Sequence, residues 1–162
     1  MKKAQFEDIK WEEIPVLLEL IQELAAYEKM ETQVQATVER LENALFIQNT
    51  ARAFFIRAED QTIGFALYFY HFSTFIGRPS LYLEDIYIRP AYRNKGYGHE
   101  AFRHLAAIAR EMNCGRMEWS CLNWNKPSIA FYQKLGAIPM EDWTVFRLDE
   151  TQIKQVSVKN TQ

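Results

Sequence analysis

The chain contains the run Tyr82-Leu83-Glu84-Asp85-Ile86-Tyr87-Ile88-Arg89-Pro90-Ala91-Tyr92-Arg93-Asn94-Lys95-Gly96-Tyr97-Gly98, which predicts a strand, a loop and the start of a helix. Pro90 ends the strand because proline has no N–H to donate to a ladder. Gly96 and Gly98 allow a close approach of the backbone to a ligand. The helix that follows offers unpaired N–H groups and the positive end of its dipole. The run therefore predicts an anion site suited to a pyrophosphate, to which Arg93 and Lys95 add charge.

This loop is neither of two common phosphate loops. No Gly-Lys-Ser/Thr closes it as in a Walker loop, and the G-x-G-x-x-G fingerprint of dinucleotide sites is absent. The alternative interpretation is a tight strand-to-helix turn that binds nothing.

Apolar periodicity and turn residues predict the elements around the loop. Asn125 caps a helix that Gly136 ends, and Gly115 is the expected C-cap of the helix that follows the loop. The strands are expected at 4–9, 52–58, 62–71, 81–88, 116–121 and 143–148, and the helices at 14–25, 36–46, 97–112 and 125–136. This order predicts an α/β (α+β) fold in which helices cover a mixed sheet. We expect a single domain over 1–149 and a frayed polar tail over 150–162.

Composition excludes several classes of protein. The 162 residues are 48% hydrophobic and 25% charged, which is a globular balance, and the net charge of −2 argues against nucleic acid as a partner. No apolar run approaches the ~20 residues of a membrane span. Cys114 and Cys121 form no C-x-x-C pair, and His99 and His104 do not share a helix face, so we expect no metal and a reducing, cytoplasmic location.

Two motifs carry a family resemblance. The run from Tyr82 to Gly98 resembles the acetyl-CoA-binding motif of the GNAT N-acetyltransferases. A second run, Asn123-Trp124-Asn125-Lys126-Pro127-Ser128-Ile129-Ala130-Phe131-Tyr132-Gln133-Lys134-Leu135-Gly136-Ala137, resembles the family's second motif. Within the family, the segments from Glu23 to Met30 and from Leu81 to Asp85 are most similar to the diamine (spermidine/spermine) N-acetyltransferases and their thialysine-acetylating relatives. The resemblance extends to about residue 149.

The resemblance implies a GNAT fold, with a mostly antiparallel central sheet in which strand 81–88 splays from strand 116–121. Acetyl-CoA, the co-substrate, would lie in that cleft. Asn94 is a departure, since the diamine enzymes commonly carry glycine there. The residues implied to bind the cofactor are Ile86, Tyr87, Ile88, Arg93, Asn94, Lys95, Gly96, Tyr97, Gly98, His99, Glu118, Trp119, Ser120, Asn125, Lys126, Pro127 and Ser128.

Acetyl transfer to an amine needs a base for the amine and an acid for the departing thiolate. The resemblance assigns the acid to Tyr132, whose alternative role is packing beside Phe131. Glu84 is the candidate base, acting directly or through water, and its alternative role is a surface ion pair. Strand alternation places Glu84 and Asp85 on opposite faces unless a bulge intervenes.

Carboxylates and aromatic rings around a pocket attract an ammonium group. We expect Tyr27, Glu28, Glu84, Asp85, Phe75 and Trp143 to contact the amine, although Glu28 could equally be a solvated charge at a helix end. The resemblance thus implies acetylation of a small cationic amine, a diamine, polyamine or thialysine-like compound, by a homodimer. The alternatives are a GNAT enzyme that acetylates an amino acid or antibiotic amine, and a degenerate module that binds acyl-CoA without turnover.

Overall fold

The computed structural model of the protein describes residues 3–158. Three short 3-10 turns, at Trp11–Glu13, Glu31–Gln33 and Pro90–Tyr92, connect longer elements. In chain order the strands and helices are β1 (Gln5–Asp8), α1 (Ile14–Glu28), α2 (Val38–Glu42), β2 (Arg52–Ala58), β3 (Gln61–Ser73), β4 (Arg78–Ile88), α3 (Tyr97–Glu111), β5 (Arg116–Trp119), α4 (Lys126–Lys134) and α5 (Glu150–Ser157).

The strands form one sheet in the order β1-β2-β3-β4-β5. The first three neighbouring pairs are antiparallel, and only β4 and β5 run parallel. This confirms the predicted mixed, mostly antiparallel sheet flanked by helices. The turn at Glu59 and Asp60 joins β2 to β3, and both residues adopt positive φ angles of 54° and 62°.

Helices α1 and α3 cover opposite faces of this sheet. On one face, Leu17 and Leu20 of α1 pack with Phe55, Phe65 and Tyr87 in a cluster whose members are all nearly inaccessible to solvent. On the other face, the His104 ring of α3 stacks on Phe6 with 4.5 Å between centroids and meets Phe54 edge-on at 4.9 Å. Adjacent residues of a strand point to opposite faces, so β2 contributes Phe55 to one layer and Phe54 to the other.

The chain divides into two compact units, Met1–Ser120 and Cys121–Gln162. The first unit holds the whole sheet together with α1, α2 and α3. In the described part of the second unit, the regular elements are α4 and α5. The expectation of a single domain over 1–149 stays a prediction.

The strand predicted at 143–148 is wrong. These residues form no regular secondary structure. A strand needs a hydrogen-bonded neighbour, and residues 143–148 pair with none of the five strands of the described sheet. The frayed tail is also a wrong prediction over 150–157, where α5 forms behind a capping box in which Asp149 accepts from Gln152 N at 2.8 Å. Residues 159–162 of the tail lie outside the described residues.

Three helix ends test the cap predictions. Gly115 does not cap α3, because Asn113 already takes the left-handed conformation there with a φ of 52°. Asn125 caps α4 as expected, since its side chain accepts from Ser128 N at 3.4 Å. Gly136 follows the end of α4 with a φ of 89°, also as expected.

The helix predicted at 36–46 is divided, because α2 passes into a single π turn at Asn43–Ile47.

Among residues 3–158, no helix has both the length and the apolar character that crossing a bilayer requires.

Candidate active site

The sheet opens between β4 and β5. The two strands pair over four positions, from Ser80 with Arg116 to Leu83 with Trp119. Beyond Leu83, β4 continues to Ile88 and pairs only with β3 among the strands of the described chain. Because only one side of this stretch is paired, the N–H and C=O groups on its other side face the gap that β5 leaves. This confirms the predicted divergence of the two strands.

A bulge in β4 sets the direction of the carboxylates. Leu83 lies opposite Tyr68 in the β3–β4 ladder, whereas Asp85 lies opposite Leu67, so Glu84 is the extra residue. Glu84 is exposed, and Asp85 is largely shielded from solvent. Since Leu67 packs against the cluster on the α1 face, its cross-strand partner Asp85 projects toward α1 as well.

The charges of three carboxylates interact at this point, and we call Glu28, Glu84 and Asp85 the acidic trio. Burial, with repulsion from Glu84 and Glu28 added, raises the pKa of Asp85 to about 6. Burial also raises the pKa of Glu28, which is the last residue of α1. The structure thus brings three of the six predicted amine contacts into one electrostatic group, with Tyr27 adjacent in α1.

The loop after β4 has the backbone that the glycines predict. Gly96 is the N-cap of α3 and adopts a φ of 90°, and Asn94 adopts a φ of 59°. Asparagine tolerates this left-handed conformation better than most residues, so its presence in place of glycine leaves the loop intact. The first helical hydrogen bond runs from Glu100 N to Gly96 O, which leaves the N–H groups of Tyr97 and Gly98 ahead of it.

The two loop cations have different surroundings. Lys95 is exposed, with its Nζ 5.1 Å from the centre of the Tyr92 ring. Arg93 is half-buried, and its Nε donates to Ile88 O at 2.8 Å. The Arg93 guanidinium also lies over the rings of Tyr27 and Tyr87, 4.4 Å and 5.5 Å from their centres. Lys95 is therefore the accessible positive charge of the loop.

The end of β5 is tied to its neighbours by side-chain contacts. Glu118 lies 2.9 Å from His71 Nε2 and 3.3 Å from Arg116 Nε. The hydroxyl oxygens of Ser120 and Tyr82 lie 3.0 Å apart. Trp119 meets the Phe102 ring of α3 edge-on at 5.2 Å. The side chains predicted to line the far side of the cofactor are thus held by residues of β3, β4 and α3.

The second unit holds Tyr132, Trp143 and the predicted cofactor residues at the start of α4. Tyr132 is half-buried on α4, with its ring edge-on to Phe131 at 5.5 Å. Asn125 is buried at the start of the same helix, while Lys126 and Pro127 are exposed in its first turn, ahead of Ser128. Trp143 is 75% exposed.

Phe75 is the predicted amine contact that the sheet places far from the acidic trio. It lies in the turn that joins β3 to β4 and is fully exposed. Glu84 is six residues along β4 from Arg78, where the strand begins, which corresponds to roughly 20 Å of extended chain. Within one chain the sheet therefore separates Phe75 from Glu84.

Sequence reasoning missed the ion pairs that fix α1 against the sheet. Arg89, just after β4, donates to Glu23 at 2.6 Å and to Glu19 at 2.8 Å, and its backbone N–H bonds Ile63 O. The Arg89 hydrogen bond lowers the pKa of Glu23. Glutamates spaced four apart on α1 were the available signal, but their partner lies 66 residues from Glu23 and 70 from Glu19. These contacts join α1, which ends in Glu28, to the end of β4.

No cluster of three or more His, Cys, Asp or Glu side chains in the described ranges is arranged to hold a metal ion.

Comparison with known proteins decides the family. Residues 15–137 match the family model described as "Acetyltransferase (GNAT) family". The chain belongs to the GNAT acetyltransferase family. It is 33% identical over 159 residues to the thialysine N-epsilon-acetyltransferase of Caenorhabditis elegans, covering 96% of this chain and 98% of that protein. The present chain is also 33% identical over 155 residues to the human spermidine/spermine N(1)-acetyltransferase-like protein 1, covering 86% of this chain and 21% of the human protein.

Among solved structures, an integron cassette protein from the mobile metagenome of V. cholerae has the same fold as this acetyltransferase. The TM-score is 0.77 at 23% identity, with 95% of this chain and 97% of that chain covered. The family and these relatives identify the protein as an N-acetyltransferase.

Proposed function

We propose that the protein transfers the acetyl group of acetyl-CoA to a primary amine of a small polycation: a diamine, a polyamine or a thialysine-like compound. The observation that carries this proposal is the acidic trio beside the unpaired edge of β4. Three carboxylates in one group attract a substrate with more than one positive charge, and partial burial strengthens that attraction because water screens it less. The named relatives, which include a thialysine and a spermidine/spermine-like acetyltransferase, support the same substrate class.

The residues present fit acetyl-CoA. The backbone N–H and C=O of Ile86 and the N–H of Ile88, which face away from β3, suit the amides of pantetheine, and the N–H groups of Tyr97 and Gly98 suit a pyrophosphate. Lys95 supplies an accessible positive charge. The far side of the cofactor is assigned to Glu118, Trp119 and Ser120, and to the start of α4.

In the proposed reaction, Glu84 removes a proton from the substrate ammonium, directly or through water. The amine nitrogen then attacks the thioester carbonyl carbon, and a backbone N–H near Ile86 stabilises the oxyanion. Collapse of this intermediate breaks the carbon–sulfur bond, and the CoA thiolate takes the phenolic proton of Tyr132. The attacking nitrogen loses a second proton as the amide forms, and this proton restores Tyr132, while the first proton leaves Glu84 for solvent. The products are the N-acetylated amine, CoA and one proton.

A panel of amines tests the substrate class. Release of CoA thiol from acetyl-CoA is measured with putrescine, spermidine, spermine, lysine and thialysine. The proposal expects turnover with at least one of these, and the highest kcat/KM for a compound with two or more ammonium groups. Preference for a neutral or monocationic amine would contradict it, and CoA binding without thiol release would identify an acyl-CoA-binding module instead.

The proposed partner is a second copy of the chain. Residues 138–158 expose nine large apolar side chains, among them Val145 at 82% and Phe146 at 90%. A symmetric interface buries roughly 800 Å² on each partner, and exposed apolar side chains are what such an interface covers. In this proposal a second copy of the chain covers part of this segment.

Sedimentation tests the homodimer. The wild-type protein is expected to sediment as a dimer, and Phe146→Asp is expected to shift it toward the monomer. Ile47→Asp is the matched control, since Ile47 is 65% exposed on the other unit. A monomeric wild type at all concentrations, or a dimer that Phe146→Asp leaves unchanged, would contradict this surface.

The cytoplasmic location stays part of the proposal. It is supported by Cys114 and Cys121, neither of which is in a disulfide among the described residues.

A further inference from the structure

Arg93 makes three contacts that a phosphate-binding cation does not need. Its Nε donates to the carbonyl of Ile88 at 2.8 Å, and its guanidinium lies over the rings of Tyr27 and Tyr87. These contacts use both the planar face and an N–H of the guanidinium. The side chain is half-buried, in contrast to the exposed Lys95 two residues later.

The partners of Arg93 belong to the two halves of the proposed site. Tyr27 immediately precedes Glu28 on α1, and Tyr87 lies two residues after Asp85 on the same face of β4. Ile88 ends the unpaired edge assigned to pantetheine, and Arg93 itself begins the loop assigned to pyrophosphate. One side chain thus contacts the supports of both the amine site and the cofactor site.

We propose that Arg93 is a positioning residue that couples the cofactor loop to the acidic trio. This inference rests on the proposed function. The guanidinium fixes the end of α1 against the end of β4, so that a change in the loop is transmitted to Glu28 and Asp85. Coupling between two binding sites is reciprocal, so occupancy of the cofactor site changes the amine affinity by the same factor as bound amine changes the cofactor affinity.

The conservative variant Arg93→Lys separates this role from a phosphate contact. Lysine keeps the positive charge but has neither the planar face nor the Nε–H geometry that reaches Ile88 O. If Arg93 couples the two sites, Arg93→Lys and Arg93→Met both raise the KM for acetyl-CoA and the KM for the amine, each by about fivefold or more. If Arg93 only binds phosphate, Arg93→Lys stays near wild type and the amine KM does not move.

Lys95→Met is the matched control on the same loop. It removes an exposed positive charge and is expected to raise only the KM for acetyl-CoA, with an effect that shrinks at high salt. An amine KM that rises equally in Lys95→Met would overturn the assignment, because any damage to the loop would then have the same result.

A double-mutant cycle tests the contact itself. Tyr27→Leu, Arg93→Lys and the double variant are titrated with CoA by calorimetry and unfolded in urea. Tyr27→Leu is expected to weaken CoA binding, and the double variant to bind CoA no more weakly than the worse single variant. Additive effects on CoA affinity, or no effect of Tyr27→Leu, would overturn the coupling.

The urea midpoints distinguish a failure of this inference from a failure of the proposed function. Midpoint shifts that fail to add show that the two side chains interact, whatever the protein binds. Such shifts together with no CoA binding would refute the cofactor assignment and leave the Arg93–Tyr27 contact standing. Additive midpoint shifts together with normal acetyl transfer would refute the inference and leave the function standing.

Discussion

Leu83 and Asp85 lie on opposite faces of the sheet, although they are two residues apart on one strand. Their cross-strand partners, Tyr68 and Leu67, are adjacent on β3, and the extra residue Glu84 accounts for the change of face. Without the bulge, Asp85 would share the α3 face with Leu83, away from Glu28. The bulge is therefore what assembles the acidic trio.

Asp85→Asn is expected to stabilise the protein above pH 6. The Asp85 carboxyl has an ordinary pKa of 3.8 in the unfolded chain and a pKa of about 6 in the native protein. As pH rises through this window the unfolded state loses its proton first, so the native state becomes relatively less stable. Relative to wild type, the variant gains on the order of 1–3 kcal/mol of unfolding free energy above pH 6 and little below pH 4.

Urea unfolding between pH 3.5 and pH 8 measures this difference. Asp60→Asn is the control, because Asp60 is exposed in the β2–β3 turn at a φ that asparagine also tolerates. A stability difference for Asp85→Asn that does not change with pH would show that the carboxylate is not desolvated.

Glu28→Gln is expected to raise the KM for a triamine more than that for a monoamine. Glu28 lies at the end of α1, where its charge acts on Asp85 and where it can hold a distal ammonium. Partly exposed ion pairs contribute up to about 1 kcal/mol, which corresponds to a several-fold rise in KM that shrinks with salt. Steady-state kinetics with the triamine and the monoamine measure the two KM values. Glu31→Gln, at an exposed position, is the control. Equal effects on the two amines would favour an amino acid or antibiotic amine as substrate.

Tyr132→Phe is expected to lower kcat by roughly 10²- to 10⁴-fold, the usual contribution of a general acid. The affinity for CoA is expected to stay unchanged, since the substitution removes only the hydroxyl of Tyr132. Single-turnover kinetics and calorimetry measure the two quantities. Tyr70→Phe removes a hydroxyl from β3 in the first unit and serves as control. A near-normal chemical step in Tyr132→Phe would mean that water supplies the proton.

Gly96→Val is expected to weaken CoA binding by more than the loss of folded protein accounts for. Valine at a φ of 90° is strained, and its side chain would block the approach to the backbone. Gly77→Val carries similar strain at a φ of 70° in the β3–β4 turn, with open space around its Cβ. Calorimetry with CoA compares the two. Equal affinity in both variants would remove the loop from the site.

The sequence predicted the features that depend on local chemistry. The left-handed backbone of the glycine loop, the Asn125 cap and the order of the elements from β1 to α4 depend on neighbouring residues, and the structure confirms them. The strand at 143–148 was predicted from the same local patterns, but strand formation also requires pairing, and these residues join no ladder of the described sheet.

Two features of the site depend on contacts between distant parts of the chain. The bulge at Glu84 is fixed by register against β3, and two consecutive carboxylates give no sign of which one faces the core. Arg93 was assigned to phosphate because it adjoins the glycines. Its contact with Tyr27 joins residues 66 positions apart and depends on how α1 packs.

The unpaired edge of β4 between Glu84 and Ile88 also bears on solubility before any ligand binds. A sheet edge with open N–H and C=O groups is a template on which strands of other chains can add. Glu84 and Asp85 place negative charge at the start of this edge, and the bulge twists it away from the flat geometry that strand addition needs. The carboxylates proposed to bind the amine thus also act as gatekeepers against aggregation, so neutralising Glu84 and Asp85 together would carry a cost in solubility.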